Sequence, residues 1–312
     1  MACGSRHVLM MQYLFLRLGS ILAGYVPVRL GYFLATAFAR MAYARGGKKR
    51  RDLFQNLRSV VAGSTNHREV AEIALESYRN LARYYYEFMR LPHMSRRELA
   101  LQVRFCGLEH LDRAMRAKKG VILVSGHLGN WDVVGAALSA LYHTSIYSVA
   151  ERLRPQKLHD LFVATRATVG IDVISVSTVA AKMLRVLRQG GIVGLICDRD
   201  LQGNGVQVSF FGAATTMPRG PVALALKTGA SIVPIFSRRQ PDNSLVAEIG
   251  TPIALQVTGD TDRDVALNTQ KIADCLEAAI GKDPSQWFVM QPIWPNSNPE
   301  VLPGNREDGG LG

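Results

Sequence analysis

Between Gly120 and Leu141, in the stretch GVILVSGHLGNWDVVGAALSAL, the only titratable side chains are His127 and Asp132. Paired, these residue types make a general base. The carboxylate accepts a hydrogen bond from one ring nitrogen and fixes the tautomer, and the other nitrogen is free to take a proton from an alcohol. Such a pair needs no serine or cysteine nucleophile. On one regular helix a spacing of five residues would send the two side chains to different faces, but Gly126 and Gly129 let His127 lie in a loop and Asp132 in the first helical turn, looking back at it. The competing structural reading is a histidine closing the loop and an aspartate placed favourably at a helix N-terminus.

The elements that must position this pair can be read around it. Val121 to Ser125 is an apolar run closed by Gly126, and a helical stripe of Trp131, Val134, Leu138 and Leu141 follows, which reads strand, tight loop, helix. A strand-to-helix corner of an α/β sheet is where ligands usually bind, so this corner is the candidate active site. Upstream, Asn66 with Glu69 opens a helix to about Met89 that carries Tyr78, Tyr84, Tyr85 and Tyr86, and Ser95 with Glu98 caps a short helix before a Val103 to Phe105 strand. Downstream, strands are expected over 145–149, 171–176, 192–197, 206–210, 231–236 and, as an edge, 244–249; helices are expected over 154–169, 178–187, 220–227 and 262–280. This alternation predicts an α/β fold with a mostly parallel central sheet flanked by helices. Residues 1–100 read as an N-terminal helical, membrane-associating region, 101–295 as the α/β domain and 296–312 as a polar, disordered tail.

Further charged groups fall on the same sheet edge. Asp198, Arg199 and Asp200 follow the 192–197 strand and would face the proposed cleft. Glu151 and Arg152 directly follow the third strand, where an arginine can contact phosphate, and Arg166 lies in the next helix. Phe211 beside Gly212 pairs aromatic bulk with a flexible hinge, and Arg219 in the MPRGP segment stands at a helix start, where backbone amides can receive an anion. Each has a plain alternative: charged helix faces are solvated, and Phe-Phe-Gly is a buried corner.

The chain of 312 residues is 48% hydrophobic and carries a net charge of +12. A basic surface with this apolar content suits an anionic membrane or a phosphorylated ligand. No recognised nucleic-acid motif accompanies the charge, so nucleic acid is not expected as a partner. From Val8 to Tyr43 the sequence is mostly apolar and aromatic, but Arg17, Arg29 and Arg40 interrupt it. That pattern argues against a simple transmembrane helix and for one or two helices in the interface, with the arginines snorkelling to headgroups. The cluster Lys48, Lys49, Arg50, Arg51 follows, as in a segment facing anionic lipid on the cytoplasmic side. Cys3, Cys106, Cys197 and Cys275 lack metal or redox spacing, and His127, His143 and His159 do not share a helix face at ligand spacing. No metal or other cofactor is expected.

Six blocks in order carry a resemblance: HLGNWD at 127–132, VAERLRP at 149–155, CDRD at 197–200, VSFFG at 208–212, MPRGPVALALKTGA at 217–230 and WFVMQPIW at 287–294. Over about Val103 to Pro295 the chain resembles the bacterial lysophospholipid-type acyltransferases with the His-x-x-x-x-Asp signature, in the branch of lipid A late acyltransferases and phosphatidylinositol mannoside acyltransferases. The resemblance implies an α/β catalytic domain held on the membrane by N-terminal helices. It also implies acyl transfer from acyl-CoA or acyl carrier protein to a hydroxyl of a membrane glycolipid, at the cytoplasmic face of the plasma (inner) membrane. By the same resemblance His127 is the base, Asp132 its orienting partner, Arg166 lies near a substrate phosphate, and Asp198 and Asp200 surround the acceptor sugar. Aspartate at 132, with the VAERLRP and DRDL wording, favours the mannoside branch over lipid A. A basic, non-catalytic peripheral membrane or nucleic-acid binding protein is the alternative from another class. A hydrolase using Ser125 is not supported, because Leu123 stands where the nucleophile motif needs glycine.

Overall fold

Both faces of the apolar run Val121–Ser125 are covered in the folded chain, which is why it reads as continuous hydrophobicity rather than alternation. Val121 and Leu123 pack into one helical layer, Ile122 and Val124 into the other. The computed structural model that places these side chains describes residues 2–61, 66–175 and 179–294. The expected tail from 296, and the strand and helix ends expected at 176 and 178, lie outside the described residues.

In chain order the elements are α1 (Ala2–Ala23), α2 (Val28–Ala44), α3 (Lys48–Val60), α4 (His67–Arg90), α5 (Arg96–Leu101), β1 (Val103–Cys106), α6 (Leu108–Arg116), β2 (Val121–Ser125), α7 (Trp131–Tyr142), β3 (Ile146–Val149), α8 (Gln156–Thr168), β4 (Ile171–Ile174), α9 (Val179–Arg188), β5 (Ile192–Ile196), β6 (Val206–Phe210), β7 (Ala213–Met217), α10 (Gly220–Thr228), β8 (Ser231–Arg239), β9 (Leu245–Ile249) and α11 (Thr261–Lys282). The central sheet has seven strands in the order β1-β9-β8-β2-β5-β3-β4, parallel except between β8 and β9. This is the expected α/β class, with helices on both faces. The chain leaving β2 turns into α7 on one layer, while the chain leaving β5 reaches α10 on the other. The crevice at the carboxyl ends of these adjacent strands is therefore open for a site.

Two expectations are corrected. The strand at 244–249 is not an edge: β9 lies between β8, its antiparallel hairpin partner, and β1, which closes the sheet on that side. The strand at 206–210 does not join the main sheet but pairs with β7 in a separate hairpin. Neither outcome is local; each depends on which distant strand arrives alongside.

The N-terminal helices dock on the segment that follows α11. Asn56 of α3 donates to the carbonyls of Val289 and Gln291, both at 2.8 Å, and Asn80 of α4 donates to Ser285 O at 3.3 Å. Helix α2 lies close against α4, where a Cβ at Gly31 would come within 2.0 Å of the Tyr86 ring. Outward, α1 and α2 expose Met11, Leu14, Leu18, Ile21, Phe33, Leu34, Phe38 and Met41 at helical spacing, Phe33 at 68% and Met41 at 62%. Among the described residues, no helix is long and apolar enough to cross a membrane.

Candidate active site

The loop between β2 and α7 carries His127. Strands β2 and β5 pair in parallel with Ser125 opposite Ile196, so two residues further on His127 and Asp198 stand side by side. Asp198 Oδ1 is 2.7 Å from His127 Nδ1, and Asp198 Oδ2 accepts the His127 backbone N–H at 2.7 Å and the Trp287 indole N–H at 2.9 Å. Asp198 is 1% exposed. Burial by itself would raise its carboxyl group, but the attraction of the imidazole and the donors from His127 and Trp287 hold it below the ordinary aspartate range. An anionic acceptor at Nδ1 sets the proton on that nitrogen and leaves Nε2 as the acceptor.

Nε2 faces Arg199, whose Nη2 is 3.4 Å away. The guanidinium is steered by Glu151, 3.0 Å from Nη2, and by the Gln291 side chain, to which Nη1 donates. The loop after β3, the loop after β5 and the C-terminal segment therefore meet at this second ring nitrogen. The loop's own backbone is held as well: Phe288 N–H donates to His127 O at 2.9 Å, and Leu128 bridges to Trp287. The His127 ring stands edge-on to Trp131, 5.1 Å between centroids.

Asp132 is not the partner of His127. Asn130 caps α7 by accepting Val133 N–H at 3.1 Å, and the helix that starts there directs Asp132 into the protein, at 2% exposure. Its oxygens take Arg166 Nε at 2.7 Å, Arg166 Nη2 at 3.0 Å and the Tyr84 hydroxyl at 2.6 Å. Burial opposes charge on Arg166, but Asp132 outweighs it and keeps the guanidinium cationic; burial and the same carboxylate raise Tyr84, which stays a phenol. Two of the Arg166 nitrogens are thus committed to Asp132, inside the protein.

The remaining candidates separate clearly. Asp200 builds its own loop, accepting the N–H groups of Gln202, Gly203 and Gly205 at 3.2, 3.0 and 2.8 Å. Phe211 sits at the hairpin corner with φ of 50°, edge-on to Phe210, its N–H donating to Glu277 at 2.9 Å. Arg219 pairs with Asp262 at 2.8 Å near the start of α11. Arg152 is exposed on the loop beside Glu151. Trp287 and Gln291 are contacts of this arrangement that no local pattern marks. Both lie in the WFVMQPIW block, and their signal was a tryptophan and a glutamine in a short segment after the last helix, with nothing local to say what they approach. Tyr84, one of the tyrosines of α4, also reaches Asp132.

The chain is similar to proteins of known activity. The family model described as bacterial lipid A biosynthesis acyltransferase matches residues 1–296. The chain is 37% identical over 230 residues to a phosphatidylinositol mannoside acyltransferase of Mycobacterium tuberculosis (strain CDC 1551 / Oshkosh), covering 71% of this chain and 69% of that protein. It is 35% identical over 274 residues, 86% of each chain, to a phosphatidylinositol mannoside acyltransferase of Mycolicibacterium smegmatis.

Proposed function

The chain belongs to the bacterial lipid A biosynthesis acyltransferase family and is an acyltransferase; on that premise we propose that it moves an acyl chain from an acyl thioester to a hydroxyl of a membrane glycolipid, a phosphatidylinositol mannoside-like acceptor being favoured. The donor is acyl-CoA or acyl carrier protein. One observation carries the mechanism: His127 Nδ1 lies 2.7 Å from the buried carboxylate of Asp198. With that tautomer fixed, Nε2 takes the proton of the acceptor hydroxyl as its oxygen adds to the thioester carbonyl carbon. The tetrahedral intermediate collapses with cleavage of the C–S bond. The proton held on Nε2 passes to the departing thiolate, which leaves an ester and a free thiol, and no acyl-enzyme forms. Arg199, beside Nε2, donates to the oxyanion. Asp132 acts at one remove, fixing α8 to α7 through Arg166.

The apolar outer faces of α1 and α2, with Arg17, Arg29 and Arg40 exposed among them, support binding in the interface of an anionic bilayer. Because both kinds of donor are cytosolic, the reaction belongs at the cytoplasmic leaflet. The decisive experiment is transfer of a labelled acyl chain from acyl-CoA to glycolipid in vesicles. His127→Ala abolishes transfer and leaves vesicle binding intact; full activity in that variant would sink the mechanism.

A further inference from the structure

Glu87 of α4 is 6% exposed, and donors from three other elements of the chain converge on its carboxylate. Oε1 accepts the Tyr32 hydroxyl of α2 at 2.5 Å and Arg239 Nη1 of β8 at 2.6 Å; Oε2 accepts Arg239 Nη2 at 2.7 Å and Asn130 Nδ2 at 2.6 Å. Asn130, 0% exposed, is the residue at which the His127 loop becomes α7. Its Oδ1 accepts Val133 N–H at 3.1 Å, and its own N–H donates to Ser237 Oγ of β8 at 3.0 Å. The adjoining Gly129 N–H donates to Gln286 O at 2.9 Å, and Gln286 exchanges bonds of 2.6 and 2.9 Å with the main chain of Arg239.

A planar amide has its oxygen and its NH2 group in fixed relation. For Oδ1 of Asn130 to cap α7, Nδ2 must point where Glu87 stands. Without that acceptor a buried donor is orphaned and the amide is free to turn away from the cap, three residues after His127. A purely structural ion pair would have no such consequence, because apolar residues of similar volume replace buried pairs with little or no loss of stability.

We propose that Glu87, charge-balanced by Arg239, is a positioning residue for acyl transfer: through Asn130 it fixes the path of the loop that carries His127, and through Tyr32 it joins the apolar-surfaced helix α2 to the same hydrogen-bond chain. The proposal rests on the reading of His127 as the base. Two double variants of the full chain separate positioning from folding. Glu87→Gln with Arg239→Met keeps a carbonyl oxygen for Asn130 Nδ2 and an amide for the Tyr32 hydroxyl; Glu87→Leu with Arg239→Met keeps neither, and both remove the ion pair.

The assay is acyl transfer from acyl-CoA to glycolipid in vesicles, with melting temperature and vesicle binding measured on the same preparations. The leucine variant is expected to lose roughly tenfold or more in kcat, with KM for the donor within about twofold, and the glutamine variant to recover to within about threefold of the parent. A folded leucine variant with a kcat within about twofold of the parent overturns the proposal, as do two folded variants equally impaired. If neither double variant folds, Tyr32→Phe carries the test: in folded protein with unchanged vesicle binding kcat falls about threefold, and an unchanged kcat overturns the proposal. Parent protein and His127→Ala run alongside. No transfer by the parent, or full transfer by His127→Ala, marks failure of the base assignment and not of the positioning.

Discussion

Replacing Asp198 by asparagine perturbs the site through a single atom. In the parent, Oδ2 accepts two N–H groups, from the His127 backbone and from Trp287, at 2.7 and 2.9 Å, so the oxygen of the new amide stays there. Its NH2 group must then take the place of Oδ1, 2.7 Å from His127 Nδ1. A donor at that point requires Nδ1 to be an acceptor, which moves the ring proton to Nε2, where it blocks uptake of the hydroxyl proton. The geometry survives and the tautomer is wrong. The corresponding change in a serine protease triad costs about 10⁴ in kcat, so a loss of roughly 10³- to 10⁴-fold is expected here, about 4–5 kcal/mol in the barrier. The assay is single-turnover transfer of a labelled acyl chain to vesicle-borne glycolipid with donor in excess, on protein of unchanged melting temperature. If Asp198→Asn stays within about tenfold of the parent while folded Asp132→Asn is inactive, the pairing of His127 with Asp198 is not the catalytic one.

Asp132→Asn is expected to act first on stability. It leaves Arg166 buried without its countercharge, at a cost of roughly 3 kcal/mol seen in denaturant unfolding, with a smaller kcat loss than Asp198→Asn below the melting transition. The folded value of Asp198 lies below the unfolded one of about 3.9, so its contribution to stability is present above that pH and is lost as pH falls through the lowered folded value; Asp198→Asn flattens the stability profile below about pH 4. Gly129→Ala should cost at least about 2 kcal/mol and most activity, since φ there is +63° and a Cβ would meet Ser237 O at 2.3 Å; a melting temperature equal to the parent's would contradict the loop geometry. The double change Phe33→Glu, Phe38→Glu alters side chains that are 68% and 52% exposed, and should leave stability within about 0.5 kcal/mol while cutting co-sedimentation with anionic vesicles by at least about tenfold. Retained binding in that variant removes α2 from the membrane contact.

Sequence alone determined what is local or periodic. The strand–loop–helix corner at His127, the limits of β2 and β6, the capping box of Ser95 with Glu98 and the alternation behind a mostly parallel sheet could all be read because they depend on residues a few positions apart. The partner of His127 could not. Five residues separate His127 from Asp132 and seventy-one separate it from Asp198, yet the parallel register of β2 on β5 brings the distant aspartate to the ring, while the helix start at Trp131 sends the near one to Arg166 and Tyr84. The charges of Arg199 and Asp200 look alike in sequence; one reaches Nε2 and the other folds its own loop. Trp287 reaches Asp198, and Glu87 reaches Asn130, from segments far apart in the sequence. Residue type set the chemistry available at the corner, and strand register and helix packing decided which groups share it, because hydrogen bonds act over about 3 Å in space whatever the distance along the chain.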